Sequence, residues 1–215
     1  MRKAVDQPGS REEPKGHEMV LTVGHSNHTI EKLVALLKAH DVTAVADVRS
    51  SPFSRFSPHF NRVPLQQALK DNEIAYVFLG AELGARSKDP TCYQHGKVQY
   101  DRLAQTDLFK AGLRRVVQGA ESYRLVILCA EKEPLACHRT ILVARELERL
   151  GVHVSHILAD GRIETHEAAI RRLFATLQIP HVDFFRTAED LLSEAYARQA
   201  ERIAYVDEEA SGEAE

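Results

Sequence analysis

The chain has 215 residues, 44% of them hydrophobic, and a net charge of −3. This composition is sufficient to bury the core of one domain. The nearly neutral balance excludes a protein that is basic throughout, so nucleic acid would need a local basic patch. No apolar run approaches the roughly 20 residues that span a bilayer, and residues 1–18 lack the apolar centre of a signal peptide. We therefore expect a cytoplasmic protein with no membrane partner.

Polar segments flank the part of the chain that has the pattern of a folded domain. Residues 1–18 are predicted to be a flexible leader, and residues 207–215, with five acids and no base, an acidic disordered tail. Residues 19–206 are predicted to form a single domain. The three cysteines are an odd number, which does not suggest a disulfide framework, and we expect them to be reduced.

Strands and helices are predicted to alternate through this domain. The predicted strands lie at about 20–23, 42–48, 74–78, 124–128 and 153–158. The predicted helices alternate with them, at about 29–40, 65–72, 106–119, 137–150, 164–177 and 188–203. Thr29 is a plausible N-cap for the first helix. Alternation of this kind is typical of βαβ units. It predicts a single three-layer α/β domain with a mostly parallel sheet and helices on both faces.

Three of the predicted strands end at chemically reactive residues. These are Gly24, His25 and Ser26 after the first strand, Asp47 and Arg49 at the end of the second, and Cys129 and Glu131 after the strand at 124–128. In a parallel sheet the carboxyl ends of the strands lie along one edge, where ligands bind. We therefore expect one composite site built from segments that are far apart in the sequence.

The segment from Cys129 to Arg139 connects a strand to a helix. The amino end of a helix offers free N–H groups and a positive dipole, which suit an anion. A cysteine in this first turn has a lowered pKa and a reactive thiolate, so Cys137 is a candidate nucleophile. His138 lies beside it, and the Arg139 guanidinium is suited to grip a phosphate with two N–H groups. Cys129 alone is more typical of a small buried core residue.

The segment 49–62 is rich in arginine and phenylalanine. Its candidate contact residues are Arg49, Phe53, Arg55, Phe56, His59, Phe60 and Arg62. Arginines that follow phosphates, next to rings that stack on bases, are typical of single-stranded nucleic-acid sites. A lid over a phosphorylated small molecule has a similar composition. The third interpretation is a surface loop whose phenylalanines pack into the core.

Two further residues extend the predicted site, and they raise the question of a metal. His156 lies on a predicted strand, and Asp160 follows it in an Asp-Gly pair that also favours a simple turn. A metal site can be assembled from Cys129, Cys137, His138 and His156. The compact ligand spacings typical of structural zinc sites are absent, so we expect no metal.

A set of short motifs covers roughly residues 20–170. In order they are Thr22-Val-Gly24-His25-Ser26-Asn27, Asp47-Val-Arg49-Ser-Ser-Pro52-Phe-Ser-Arg55, Phe78-Leu-Gly80, Leu83-Gly84, Cys129-Ala-Glu131, Cys137-His138-Arg139 and His156-Ile-Leu-Ala-Asp160-Gly161. Together they resemble the family of domains of unknown function numbered 488. The sequence departs from the family at 84–86, where a second glycine pair is common. The resemblance implies an α/β fold and a bacterial or archaeal cytoplasmic protein, but no established reaction.

These patterns favour an enzyme, a hydrolase or group transferase, that acts on a nucleotide or nucleic acid. The phosphate would lie at the helix start formed by Cys137, His138 and Arg139, with help from Arg49 and Arg55. The candidate acids and bases are Asp47, Glu131 and His25. The other predicted substrate contacts are Ser26, Cys129, His156 and Asp160.

The type of bond and the class of protein are left open by the sequence. Both an N-glycosidic bond and a phosphoester bond suit carboxylates beside arginines. No G-x-G-x-x-G follows the first strand, so no dinucleotide cofactor is expected. The two alternatives to an enzyme of this type are a non-catalytic nucleic-acid-binding module that uses the loop 49–62 and a metal-dependent Cys/His site.

Overall fold

The structure is a computed structural model that describes residues 19–180 and 182–207. The predicted leader and all but the first residue of the predicted acidic tail lie outside the described residues. No helix within the described residues is long and apolar enough to cross a membrane.

Within the described residues, six strands form one sheet in the order β3-β2-β6-β1-β7-β8, and two more, β4 and β5, form a separate hairpin. Their bounds are β1 Met19–Gly24, β2 Ala44–Asp47, β3 Ala75–Phe78, β4 Tyr93–Gln94, β5 Lys97–Val98, β6 Leu125–Cys129, β7 His153–Ile157 and β8 Ile163–Thr165. Every pairing in the large sheet is parallel except that of β7 with β8. The predicted mostly parallel sheet is confirmed.

Helices connect the strands, and four of the helices within the described residues have a threonine N-cap. Their bounds are α1 Ile30–Ala39, α2 Arg62–Lys70, α3 Gly80–Leu83, α4 Tyr100–Gln105, α5 Asp107–Ser122, α6 Arg145–Arg149, α7 His166–Leu177 and α8 Ala188–Ile203. A π-helical segment, Arg139–Ala144, leads directly into α6. The side chains of Thr29, Thr106, Thr165 and Thr187 each accept a backbone N–H from the first turn of their helix. These caps satisfy donors that a helix start otherwise leaves free.

The sheet has a hydrophobic core on each face, because side chains alternate along a strand. On β6, Val126 and Leu128 pack towards α1 and α2, whereas Leu125, Ile127 and Cys129 pack with residues of α5, α7 and α8. Buried on both faces, β6 is a continuous apolar run, as is typical of a central parallel strand. The chain is therefore a single α/β domain with helices on both faces of the sheet.

The structure differs from the predicted elements at several points, and it adds the short helices α3 and α4, which were not predicted. Ile163–Thr165 forms the edge strand β8, where the pattern predicted the start of a helix at 164. It pairs with β7 because Gly161, at φ +89°, allows the chain to reverse. The short hairpin β4–β5 lies in a segment without a clear period, and α2 begins at Arg62 rather than at 65.

Candidate functional site

The carboxyl ends of the three central strands are level with one another, as predicted. Gly24 of β1 is paired with Cys129, and Asp47 of β2 is paired with Leu128. Beyond the strands, the His25 N–H donates to the Cys129 carbonyl at 2.9 Å, and the Val48 N–H donates to the Leu128 carbonyl at 3.1 Å. The three segments therefore lie side by side, but their side chains divide between the two faces of the sheet.

On the face covered by α5 and α8, four side chains converge: Cys129, Glu131, Cys137 and His138. We call them the thiol cluster. Both thiols donate to Glu131 Oε2, Cys129 at 3.0 Å and Cys137 at 2.9 Å. His138 Nδ1 lies 3.6 Å from the Cys129 sulfur and 4.0 Å from the Cys137 sulfur. A turn of 3-10 helix, Pro134–Ala136, reverses the chain and brings Cys137 back to Cys129.

The His138 ring has a defined orientation and tautomer. Its Nε2 lies 3.2 Å from the Val48 carbonyl, to which only an N–H can donate. In the neutral ring, Nδ1 then carries the lone pair, and it faces the two sulfurs. The loop after β2 thus positions an acceptor nitrogen over the thiols.

Arg139 supports the thiol cluster from behind. Its side chain is fully buried, with Nη1 donating to the Glu131 carbonyl at 2.6 Å and Nη2 to the Lys132 carbonyl at 3.3 Å. Its backbone N–H donates to the Cys137 sulfur at 3.4 Å. The guanidinium does not line the cavity described below, so these contacts give Arg139 the task of holding the loop that carries Glu131. The predicted direct grip on a phosphate is not what its side chain does here.

The end of β1 packs so closely against the loop that carries Glu131 that position 24 requires glycine. A Cβ at this position would collide with the carbonyl oxygen of Glu131 and approach Arg139 Nη1 to 3.1 Å. Only glycine lets the end of β1 lie against the loop that carries Glu131.

Burial and the neighbouring groups have opposite effects on the pKa values of Cys137 and His138, but they act in the same direction on those of Cys129 and Glu131. Burial opposes the Cys137 thiolate, but the Cys129 thiol and the charges of Arg139 and His138 outweigh it and hold the pKa of Cys137 well below its usual value. Burial and the neighbouring Cys137 raise the pKa of Cys129. Burial and Cys137 also raise the pKa of Glu131. Burial opposes the imidazolium of His138, yet hydrogen bonding and charge from Cys137 raise the pKa of that ring.

The thiol cluster lines an open cavity of about 250 Å³. The other polar side chains in its wall are Arg49, Ser50, Ser51, Arg86, Tyr100 and Tyr205. Sequence reasoning missed Arg86, Tyr100 and Tyr205. Arg86 lies two residues after Gly84 in a segment without periodicity. That irregular segment was the one sequence feature that could have indicated Arg86 as a site residue. Tyr205 follows α8 at the far end of the chain, where no local pattern connects it with the strand ends.

The Asp47 side chain points to the opposite face of the sheet, where it forms a buried ion pair with Arg49, a residue that also lines the cavity. Arg49 Nε and Nη2 donate to the two Asp47 oxygens at 2.9 and 2.6 Å, and the Tyr76 hydroxyl also donates to Asp47 at 2.9 Å. Arg49 Nη1 donates to the Phe60 carbonyl at 2.8 Å. This network attaches the loop 48–60 to the sheet. Asp47 itself does not line the cavity.

His25 belongs to this second network. Its Nε2 lies 3.2 Å from Arg49 Nη1, and its Nδ1 lies 2.8 Å from the Ser26 carbonyl, so the ring accepts on one side and donates on the other. Burial lowers the pKa of His25 to about 4, which keeps the ring neutral. The predicted acid or base roles of His25 and Asp47 remain predictions, and neither side chain lines the cavity.

Part of the loop 49–62 is exposed, as a nucleic-acid contact requires, and part of it packs into the core, as expected for a surface loop. The rings of Phe53 and Phe56 are 68% and 98% exposed, and Arg55 is exposed between them. Phe60 is buried in the core and packs against His25, with ring centroids 4.2 Å apart. Other contacts hold the rest of the loop, with Arg62 over the Phe78 ring and His59 bonded to the His28 carbonyl. Two rings are thus free for contact, and one belongs to the fold.

His156 and Asp160 lie away from the cavity. His156 is fully buried between Thr22 Oγ1, at 2.8 Å, and His166, at 3.2 Å. His166 in turn lies 2.7 Å from the Tyr196 hydroxyl. Asp160 is exposed and bonds to Arg162 within the turn before β8. Their predicted contacts with substrate are not supported by this placement.

A second cavity, of about 400 Å³, lies between α7 and α8. Its wall is mainly apolar and includes Ile170, Leu191 and Leu192. The polar side chains His166 and Tyr196 bond to each other. Its volume exceeds that of the cavity lined by the thiol cluster, but no cysteine lines it. The chemically reactive groups face the cavity of the thiol cluster.

The fold and the thiol cluster together define an α/β protein with a cysteine-, glutamate- and histidine-containing site at the carboxyl edge of its sheet. The chain belongs to the DUF488 family, a domain of unknown function, whose model matches residues 29–145. The matched residues include the whole thiol cluster. Neither a curated protein nor a solved structure matches the chain. The match to the family model confirms the resemblance inferred from the motifs.

Proposed function

We propose that this protein is an enzyme, a hydrolase or group transferase, that acts on a nucleotide or nucleic acid in the cavity above the thiol cluster. One observation carries the proposal: two thiols, a carboxylate and an imidazole converge where a cavity opens at the carboxyl edge of a parallel sheet. Burying such ionisable groups costs stability unless they are paired and hydrogen-bonded. Clusters of titratable groups with shifted pKa values, facing a cleft, are concentrated at active sites.

A positively charged rim favours an anionic substrate. Arg86 is exposed at the cavity and lies over the Tyr205 ring, with 4.4 Å between the guanidinium carbon and the ring centroid. Within the described residues it forms no ion pair, so its N–H groups are available to a phosphate. Ser50 and Ser51 add hydroxyl groups to the same wall. In this proposal Arg86 takes the phosphate contact that the sequence had suggested for Arg139.

The exposed part of the loop 49–62 favours a nucleotide or nucleic acid over other anions. Arg49 lines the cavity, and a few residues later Phe53, Arg55 and Phe56 project into solvent. Exposed rings beside an arginine bind unstacked bases and the adjoining phosphates. A single strand whose reacting group enters the cavity would therefore have contacts for its neighbouring nucleotides. The non-catalytic alternative uses the same loop without any turnover.

The cytoplasm is the compartment that suits this site. Cys92, Cys129 and Cys137 are all free thiols. The cytoplasm keeps thiols reduced, whereas an oxidising compartment promotes disulfides. We therefore include a cytoplasmic location in the proposal.

Turnover tests the proposal directly. The protein is incubated with nucleotides and with single-stranded oligonucleotides, and products are identified by liquid chromatography and mass spectrometry. We expect a product with the wild type and with Cys92→Ser, whose thiol lies outside the cavity, but none with Cys137→Ser. The absence of any product, or a Cys137→Ser variant as active as the wild type, would refute the proposal.

A further inference from the structure

We propose that Cys129, Glu131, Cys137 and His138 bind one divalent transition-metal ion of the zinc type. Their ligand atoms, two sulfurs, a carboxylate oxygen and an imidazole nitrogen, all lie within 4.8 Å of one another. With metal–ligand bonds of about 2.0–2.3 Å, the ligands of a tetrahedral zinc ion are themselves roughly 3.5 Å apart. Four of the six distances between these atoms lie between 2.9 and 4.0 Å and bracket that value. Only small movements are needed to surround an ion.

The donor set is chemically appropriate. Thiolate sulfur and imidazole nitrogen are the ligands that zinc and related ions prefer, and a carboxylate completes many such sites. Calcium and magnesium require oxygen ligands, which only Glu131 supplies here. The cluster therefore selects against the common hard cations.

His138 is oriented as metal-binding histidines usually are. One ring nitrogen, Nε2, donates to the Val48 carbonyl at 3.2 Å, and the other, Nδ1, faces both sulfurs. A backbone carbonyl that fixes the tautomer and aims the lone pair is the common outer contact of a metal-binding histidine. This orientation suits Nδ1 to bind an ion together with the two sulfurs.

The charges also balance. When an ion binds, the two thiols lose their protons to solvent, and two thiolates with one carboxylate carry three negative charges. A divalent ion leaves a net charge of one negative. Arg139 supplies the compensating positive charge, since its guanidinium is fully buried behind the cluster and bonds to carbonyls, with no carboxylate partner among the described residues. Its backbone N–H, 3.4 Å from the Cys137 sulfur, supports that thiolate.

The metal site is independent of the turnover proposed above, but it would change how the cavity works. A divalent ion beside Arg86 supplies a Lewis acid for a phosphate or carbonyl oxygen of the substrate. Cys137 as a metal ligand is no longer the nucleophile, and it is needed for activity through the ion instead. The sequence pointed away from this site because Cys129, Glu131 and the adjacent Cys137-His138 pair lack the usual compact spacing.

Metal content tests the inference without any substrate. The protein is purified under reducing conditions without chelator, and its metals are measured by inductively coupled plasma mass spectrometry. We expect about one zinc-type ion per chain in the wild type and in Cys92→Ser, which removes a buried thiol elsewhere. Cys129→Ser, Cys137→Ser and His138→Gln should each lose most of the metal.

A cobalt titration of the reduced, metal-stripped wild type covers the case in which a variant does not fold. One equivalent of Co²⁺ should produce a thiolate-to-metal charge-transfer band in the near ultraviolet, and Zn²⁺ should displace it. A wild type that neither contains metal nor gives this band would overturn the inference, as would cysteine variants that fold and retain full metal. Turnover by a wild type that contains no metal and gives no cobalt band would support the enzyme and overturn the metal site. Bound metal without turnover would do the reverse.

Discussion

Gly24 shows how one residue controls the geometry of the candidate site. A Cβ at Gly24 would collide with the Glu131 carbonyl, so Gly24→Ala should displace the loop 130–133 and cost about 1–3 kcal/mol in the free energy of unfolding. Gly119→Ala is the matched control, because its Cβ would meet Leu125 at an ordinary 3.6 Å within α5. Alanine favours a helix, so the control should be neutral or stabilising. Urea denaturation measures both, and equal stabilities of the two variants would contradict the assignment.

His166 should make stability depend on pH. Burial lowers the pKa of His166 to about 4 in the folded protein, whereas a histidine in the unfolded chain has its ordinary pKa of about 6.5. Between these values the unfolded chain binds the additional proton, so stability falls as the pH decreases from about 6.5 to about 4. His166→Asn should remove up to roughly 3 kcal/mol of that loss.

Chemical denaturation at a series of pH values measures this slope. The neighbours of the ring are His156 on β7 and Tyr196 on α8, and both remain in the variant. The control is His153→Gln, which removes an exposed histidine. An unchanged slope in His166→Asn would show that the ring is not held neutral by burial.

The ion pair of Asp47 and Arg49 joins two elements, the strand β2 and the loop 48–60. Asp47→Ala would leave a buried guanidinium without its partner, which should cost about 3–5 kcal/mol. It should also speed amide exchange in the loop, since Arg49 anchors the Phe60 carbonyl. Asp160→Ala breaks an exposed pair with Arg162 and should change stability little. Similar losses in both variants would contradict the buried role of Asp47.

The exposed part of the loop 49–62 should bind single-stranded nucleic acid if the proposed function holds. Replacing both Arg55 and Phe56 by alanine removes a cation and a stacking ring, and should weaken binding at least about tenfold with a shallower salt dependence. Fluorescence anisotropy of a labelled oligonucleotide at several salt concentrations measures this. The control, Arg114→Ala with Arg202→Ala, removes exposed arginines of α5 and α8. Equal effects of the two double variants would refute a specific role for the loop.

At the scale of the whole molecule, the fold was predictable because periodicity and strand composition are local properties. The apolar run 125–128 and the N-cap Thr29 identified elements that the structure contains. β8 was not predictable, because its three residues are too few to show a period and depend on pairing with β7. The hairpin β4–β5 is short for the same reason.

The candidate site was predictable in its position but not in its membership. Strand ends correctly placed Cys129 and Asp47 at one edge, since parallel strands align. The face to which each side chain points depends on register, and adjacent residues point to opposite faces. The sequence therefore merged two networks whose strand residues lie on opposite faces of the sheet, although Arg49 of the second network also lines the cavity. It also gave no indication that Cys129 and Cys137 lie together, which depends on the 3-10 turn Pro134–Ala136.

The central claim is that ligands bind at the cavity of the thiol cluster. Hydrogen–deuterium exchange with mass spectrometry tests it most directly, with the protein alone, with a mixture of nucleoside monophosphates, and with a single-stranded oligothymidylate. We predict slower exchange in peptides that cover residues 49–56 and 130–138, and no change in α7 and α8. Protection confined to α7 and α8, or no protection with either ligand, would contradict the account.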